Sequence, residues 1–170
     1  MFLRNCNLKN TSEHLEFVNM YRSYIEELSQ FTNRLKAFPL YDEVSFMWNC
    51  QSIQKYFVIH EGQIIGFVLI GIEDNKHPES DWYIEEFFIK KEYQNMGLGK
   101  AVAKELLETK RGRYCLFILK RNMRASHFWQ KVFTDAGYID VSQNHVDIAP
   151  MEDCEFRMYE PVGYQEGIAI

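Results

Sequence analysis

Apolar residues along the chain change period several times, and the changes mark out elements. Leu15, Val18, Tyr21, Tyr24, Ile25 and Leu28 follow one another at steps of three, three, three, one and three, the spacing of one helix face. Thr11-Ser12-Glu13 precedes them as a helix start, with Ser12 or Thr11 as the cap. Residues 2–5 read as a short strand. The stretch from Ser29 to Cys50 holds Pro39 and five aromatics without a clean period, and predicts a second, irregular helix with loops. Residues 56–59 and 63–72 are β-rich, and Glu61-Gly62 between them reads as a tight hairpin turn. After a polar loop, 81–89 form a third long strand. Residues 98–109 predict a helix with Val102 and Leu106, and with them Ala103 and Leu107, facing a sheet. Residues 114–119 are another apolar strand, 125–133 a helix, and 139–141 and 155–159 two closing strands. No repeat or linker interrupts this order. It predicts one domain over residues 1–170 with an α/β fold, helices layered on a sheet.

Composition adds exclusions. The AVILMFWYC set makes up 46% of the 170 residues and charged residues 25%, which are globular proportions. The formal net charge of -5 argues against nucleic acid as a partner, which would require a basic face. Cys6, Cys50, Cys115 and Cys154 are scattered, with no CxxC or Cys/His cluster, so no metal site is expected and a reducing, cytoplasmic setting fits. The start lacks a signal-like apolar core, and no apolar run approaches the roughly 20 residues that span a bilayer, so no membrane partner is expected.

The chemistry concentrates after the third long strand, in Phe87-Phe88-Ile89-Lys90-Lys91-Glu92-Tyr93-Gln94-Asn95-Met96-Gly97-Leu98-Gly99-Lys100. A buried strand enters a loop with two glycines, and the loop opens a helix whose first N–H groups can bind an anion. The Walker pattern fails, because Gln94 stands where it needs Gly and Ala101 where it needs Ser or Thr. The dinucleotide GxGxxG fails at Val102. What fits is Gln-x-x-Gly-x-Gly. This segment resembles the pyrophosphate loop of the GNAT superfamily of N-acetyltransferases. Asn122-Met123-Arg124-Ala125-Ser126-His127-Phe128-Trp129 is similar to that family's Asn-x-x-Ala-x-x-aromatic-aromatic segment.

The resemblance implies a mixed, mostly antiparallel central sheet with helices on both faces, and acetyl-CoA as co-substrate without a metal. Pantetheine would pair with the backbone of the strand at Phe87, Phe88 and Ile89. The pyrophosphate would sit on the amides of Gln94, Asn95, Met96, Gly97, Leu98, Gly99 and Lys100. Asn122 would bond the pantetheine arm, although its own chemistry equally suits a helix cap, and Phe128 would pack beside it. The acceptor would be a small-molecule amine or a peptide amino group, and a homodimer stays open.

Amine acylation needs a base, because an amine near pKa 10 is mostly protonated at neutral pH. Glu85 is the catalytic candidate, since strand parity puts it on the face of Phe87 and Ile89, with Glu86 opposite. Trp129 stands where many family members have an acidic Tyr, and Tyr83 or Tyr138 could substitute. Gly137-Tyr138 also comes later after this helix than is usual. Trp129 keeps an alternative open, a non-catalytic CoA-binding or regulatory module of the same fold.

Overall fold

The computed structural model of the protein describes residues 2–33, 40–72, 80–144 and 153–164. Its strands are β1 (Leu3–Asn5), β2 (Ile53–His60), β3 (Gln63–Ile72), β4 (Trp82–Ile89), β5 (Tyr114–Leu119), β6 (Tyr138–Asp140) and β7 (Cys154–Pro161). Its helices are α1 (Thr11–Leu28), α2 (Leu40–Asn49), α3 (Leu98–Thr109) and α4 (Met123–Asp135). Seven strands form one sheet in the order β1-β2-β3-β4-β5-β7-β6. Among the described residues only β4 and β5 pair in parallel; the other neighbours are antiparallel. This is the mixed, mostly antiparallel sheet expected.

Helices cover both faces. On one face, Val102, Ala103, Leu106 and Leu107 of α3 and Trp129, Val132 and Phe133 of α4 pack on the sheet. On the other, Phe17, Met20 and Tyr21 of α1 join Val44 and Trp48 of α2 over Phe57, Phe67 and Leu69. The phase of α1 follows the sequence reading at Tyr21, which is buried, and at Val18, Tyr24 and Ile25, which pack against the same core. Leu15 departs from it: it is 61% exposed, while Phe17 is fully buried with its ring centroid 5.2 Å from Trp48 and 5.1 Å from Phe67. Large rings available across the interface favour Phe17 over Leu15 at the start of the helix. The cap is Asn10, whose side-chain oxygen accepts from the N–H groups of Ser12 and Glu13, so Thr11 and Ser12 lie in the first turn. The hairpin turn is confirmed, with Glu61 and Gly62 at φ 49° and 78°. Helix α4 starts earlier and ends later than expected, and Gly137 at φ 80° closes it, which accounts for the late Gly-Tyr pair.

Strand β4 pairs with β5 only at Trp82–Tyr114, Tyr83–Cys115 and Ile84–Leu116. Beyond Ile84 the two strands separate, while β5 stays paired with β7 through Leu119. β4 also stays paired with β3 to Ile89, where Gly66 allows a close approach: a Cβ there would lie 2.1 Å from the Phe88 carbonyl oxygen. The sheet is therefore held open from both sides of the parting.

Candidate active site

A cavity of about 530 Å³ occupies the parting. Its floor is the open edge of β4. The Lys90 N–H donates to the Ile65 carbonyl of β3 at 2.8 Å. Backbone alternation then turns the amides of Phe88 and Glu86 toward β3 and those of Phe87 and Ile89 toward the gap. The Ile89 carbonyl on that side accepts from Gln94 Nε2 at 2.8 Å, and the same amide group donates to Glu27 Oε2 at 3.1 Å. The Gln94 side chain thus braces the loop between β4 and α1.

At one end of the cavity lies the N-terminus of α3. Asn95 and Gly97 take positive φ, 62° and 79°, which coils the loop in front of the helix. Helix geometry leaves the N–H groups of Leu98, Gly99 and Lys100 without intrahelical acceptors; Ala101 is the first to bond back, to the Gly97 carbonyl at 3.1 Å. Those amides and the helix dipole suit a phosphate. A Cβ on Gly97 would meet open space, and one on Gly99 would lie 3.6 Å from the Phe128 ring. Both are ordinary or absent contacts, so neither glycine is demanded by close packing; Gly99 lies against the Phe128 ring of α4 beside the cavity. The Lys100 ammonium does not stand alone over the loop, since it pairs with Asp135 of α4 at 2.7 Å.

Of the residues expected at the cofactor, Phe87, Phe88, Ile89, Gln94, Asn95 and Gly97 line the cavity. Gly99, Lys100, Asn122 and Phe128 do so as well. Met96 and Leu98 do not, although both belong to the loop. The Phe88 ring packs away from the gap, against Tyr24 and Phe67 on the α1 face. Asn122 caps α4, its Oδ1 accepting from the Ala125 N–H at 3.0 Å, and lines the cavity too.

Glu85 lies elsewhere than strand parity indicates. The β3–β4 register shifts between Leu69 and Ile70, which face Glu86 and Ile84, so Glu85 is an extra residue in β4. Ile84, Phe87 and Ile89 pack toward α3 and α4. Glu85 instead reaches over Gly71, where a Cβ would come 3.0 Å from its Oε1, and Gly71 shares parity with Phe67 and Leu69 on the α1 face. Glu86 is on that face as well. It accepts a short hydrogen bond from the Tyr24 hydroxyl and lies 3.5 Å from that of Tyr21. The bulge thus turns two successive carboxylates to the same side, at the point where the strands part, and both line the cavity.

Trp129 is 6% exposed, with its ring edge-on to Phe87 at 5.1 Å and to Phe128 at 5.0 Å. It forms an apolar wall. The proposed substitutes for an acidic Tyr are not at the cavity. Tyr138 packs under the sheet against Phe133 and Tyr114, and Tyr83 packs against Phe117. Among the described residues, the phenol lining the cavity is Tyr24. Burial, reinforced by the Glu86 carboxylate, raises its pKa well above the ordinary tyrosine value, which keeps it a hydrogen-bond donor. Tyr24, Glu27, Arg124 and Lys131 were not singled out from sequence as site residues. Tyr24 and Glu27 are three apart on α1, and Arg124 and Lys131 seven apart on α4, spacings that share a helix face. His127 is exposed and lines the cavity; His145 lies outside the described residues.

A family model described as Acetyltransferase (GNAT) family matches residues 18–133, and the chain belongs to that family. It is 32% identical over 92 residues to a probable spermine N(1)-acetyltransferase of Bacillus subtilis subsp. natto (strain BEST195), covering 48% of this chain and 59% of that protein. The matched part therefore spans about three fifths of that relative's length. A diaminobutyrate acetyltransferase from Paenibacillus lautus, solved with L-2,4-diaminobutyric acid and coenzyme A, superposes with a TM-score of 0.64 at 14% identity, over 97% of each chain. A histone acetyltransferase HPA2 and related acetyltransferase from Corynebacterium glutamicum gives a TM-score of 0.64 at 13% identity, over 98% of this chain and 99% of that one. At these identities the two structures establish the shared fold.

Proposed function

We propose that the protein transfers an acetyl group from acetyl-CoA to an amine by direct attack in a ternary complex. The observation that carries this reading is the parting of β4 and β5 beyond Ile84 and Leu116, in front of the amides of α3. Pantetheine would fill the gap as a missing strand and bond the backbone of Phe87 and Ile89. The pyrophosphate would rest on the amides from Gln94 to Lys100, and an N–H near Ile89 would polarise the thioester carbonyl. Glu85 would take the amine proton, directly or through water. Its turn toward the α1 face puts it across the strand from the Phe87 side chain, so acceptor and cofactor would approach from opposite faces.

The lining near the parting carries Glu27, Glu85 and Glu86. Such a wall favours an acceptor with more than one positive charge, and relatives named for spermine and diaminobutyrate support that class. We further propose a single acetyltransferase domain over residues 1–170, working in the cytoplasm; the four cysteines among the described residues are free thiols, and no described helix is long and apolar enough to cross a membrane. A second reading, a CoA-binding module without turnover, rests on Trp129 in place of a tyrosine acid. A thiol with pKa near 8.5 leaves without a strong acid, so the catalytic reading is preferred. Thiol release from acetyl-CoA, followed with spermine, diaminobutyrate and neutral-tailed monoamines, tests this. Turnover highest with the polycationic acceptors is expected; CoA binding without turnover on any amine would favour the module.

A further inference from the structure

Glu27 stands at the border between the proposed acceptor and cofactor regions. It lies in the last turn of α1, is partly buried, and lines the cavity with its neighbours Tyr24 and Leu28. Its Oε2 accepts from Gln94 Nε2 at 3.1 Å, and the same nitrogen donates to the Ile89 carbonyl at 2.8 Å. An amide nitrogen carries two hydrogens, so these bonds use both and fix how Gln94 is turned. Gln94 opens the loop that leads to the α3 amides. A carboxylate is therefore bonded to the first residue of an anion-binding loop.

That placement is unfavourable for an incoming diphosphate, and nothing nearby offsets it. Among the described residues no Lys, Arg or His pairs with Glu27, and its Oε1 accepts no hydrogen bond. The cations of the surrounding elements are engaged elsewhere. Lys90 pairs with Glu16 at 2.7 Å, Lys100 and Lys131 pair with Asp135 at 2.7 and 3.7 Å, and Arg124 donates to Asn95 at 3.0 Å. Repulsion between like charges reaches farther in a cavity with apolar walls than in open water. The missing counter-charge is one that the acceptor itself can bring.

We propose that Glu27 couples the two substrates: a second ammonium of the acceptor on its carboxylate cancels the charge beside the loop, so acceptor and acetyl-CoA each bind more tightly when the other is present. This rests on the acetyl-CoA and polycation readings above. The amine that reacts gives its proton to Glu85, and Glu27 takes none. Glu27 acts by its charge and by its hold on Gln94. Because coupling is reciprocal, the gain is the same read from either ligand.

Calorimetric titration with CoA, alone and with saturating spermine or butylamine at physiological ionic strength, reads the coupling without turnover. The wild type should bind CoA about fivefold or more tightly with spermine present, spermine should gain the same factor from CoA, and butylamine should have little effect. Glu27→Gln keeps an oxygen for the Gln94 bond but no charge. It should bind CoA alone about threefold more tightly than the wild type does, and spermine should add nothing. A purely structural Glu27 would give the opposite sign, a loss of CoA affinity on substitution. Circular dichroism checks that the variant is folded. Equal wild-type affinity for CoA with and without spermine would overturn the coupling while leaving the acetyl-CoA reading intact. So would weaker CoA binding by Glu27→Gln, or a spermine effect undiminished in it, which would mark direct pairing of spermine with CoA. Failure of CoA to bind the wild type under either condition would instead overturn the acetyl-CoA reading, and the coupling with it.

Discussion

Glu85 is the residue on which the proposed chemistry turns, and its position comes from a single insertion in the β4 ladder. It follows immediately on the last β4–β5 pair, and the bulge directs it over Gly71 rather than beside Phe87. That residue types and the strand were legible in sequence while the direction was not has a plain cause. Period-two reasoning assumes an unbroken ladder, and nothing in Tyr83-Ile84-Glu85-Glu86-Phe87 announces an extra residue. The same holds for Glu86, whose partners Tyr21 and Tyr24 come from a helix more than sixty residues away. If Glu85 removes the amine proton, Glu85→Gln should bind acetyl-CoA as the wild type does and lose about 10²-fold or more in turnover. Part of the loss should return at high pH, where more of the amine is already neutral. A pH series of thiol release with a working acceptor checks this, and equal rates for the two proteins would assign the base elsewhere.

At the scale of elements, α3 and β5 were legible to the residue. Gly97 with positive φ starts α3, and Val102, Ala103, Leu106 and Leu107 all turn in as their spacing indicates. Helix α1 was legible in extent and, from Val18 onward, in phase. Its first turns were not: Phe17 rather than Leu15 turns in, a choice made by Trp48 and Phe67, which sequence spacing cannot place. The cavity wall that α1 and α4 contribute depends on how those helices lie across the parted strands, so Tyr24, Glu27 and Arg124 were out of reach for the same reason. The α3 N-terminus supports a direct test. A side chain on Gly97 would be strained by its φ of 79°, whereas a Cβ on Gly99 meets Phe128 at ordinary contact distance. Gly99→Glu should therefore keep the fold and abolish CoA binding, because its carboxylate would compete for the anion site and repel the pyrophosphate. Circular dichroism with calorimetry decides it; a folded variant with unchanged affinity would reduce the loop to a turn.

For the whole molecule, the two cores on either side of the sheet are rich in buried tyrosines. Burial raises the pKa of Tyr83, with the Glu85 and Glu86 carboxylates adding to it, and raises that of Tyr114 with Tyr138 and Asp81 adding to it; Tyr24 behaves likewise. Tyr159 is pushed up to about 12, chiefly by burial. A raised folded value means the native state holds these protons where the unfolded chain releases them. Their stability contribution is thus complete below about pH 10 and falls as pH rises further, by about 1.4 kcal/mol per pH unit for each fully responding group. The melting midpoint should decline steeply from about pH 10 upward, and a flat profile there would show that these phenols reach solvent.

The central claim is that the parted sheet and the α3 N-terminus form an acetyl-CoA site. The most direct measurement is the melting midpoint of the purified wild-type protein against rising acetyl-CoA, with ATP in parallel. The account predicts a saturable rise with acetyl-CoA, amounting to about 2.7 kcal/mol of added stability at a hundred times the dissociation constant, and a smaller effect of ATP. No rise with acetyl-CoA, or a larger one with ATP, would contradict it.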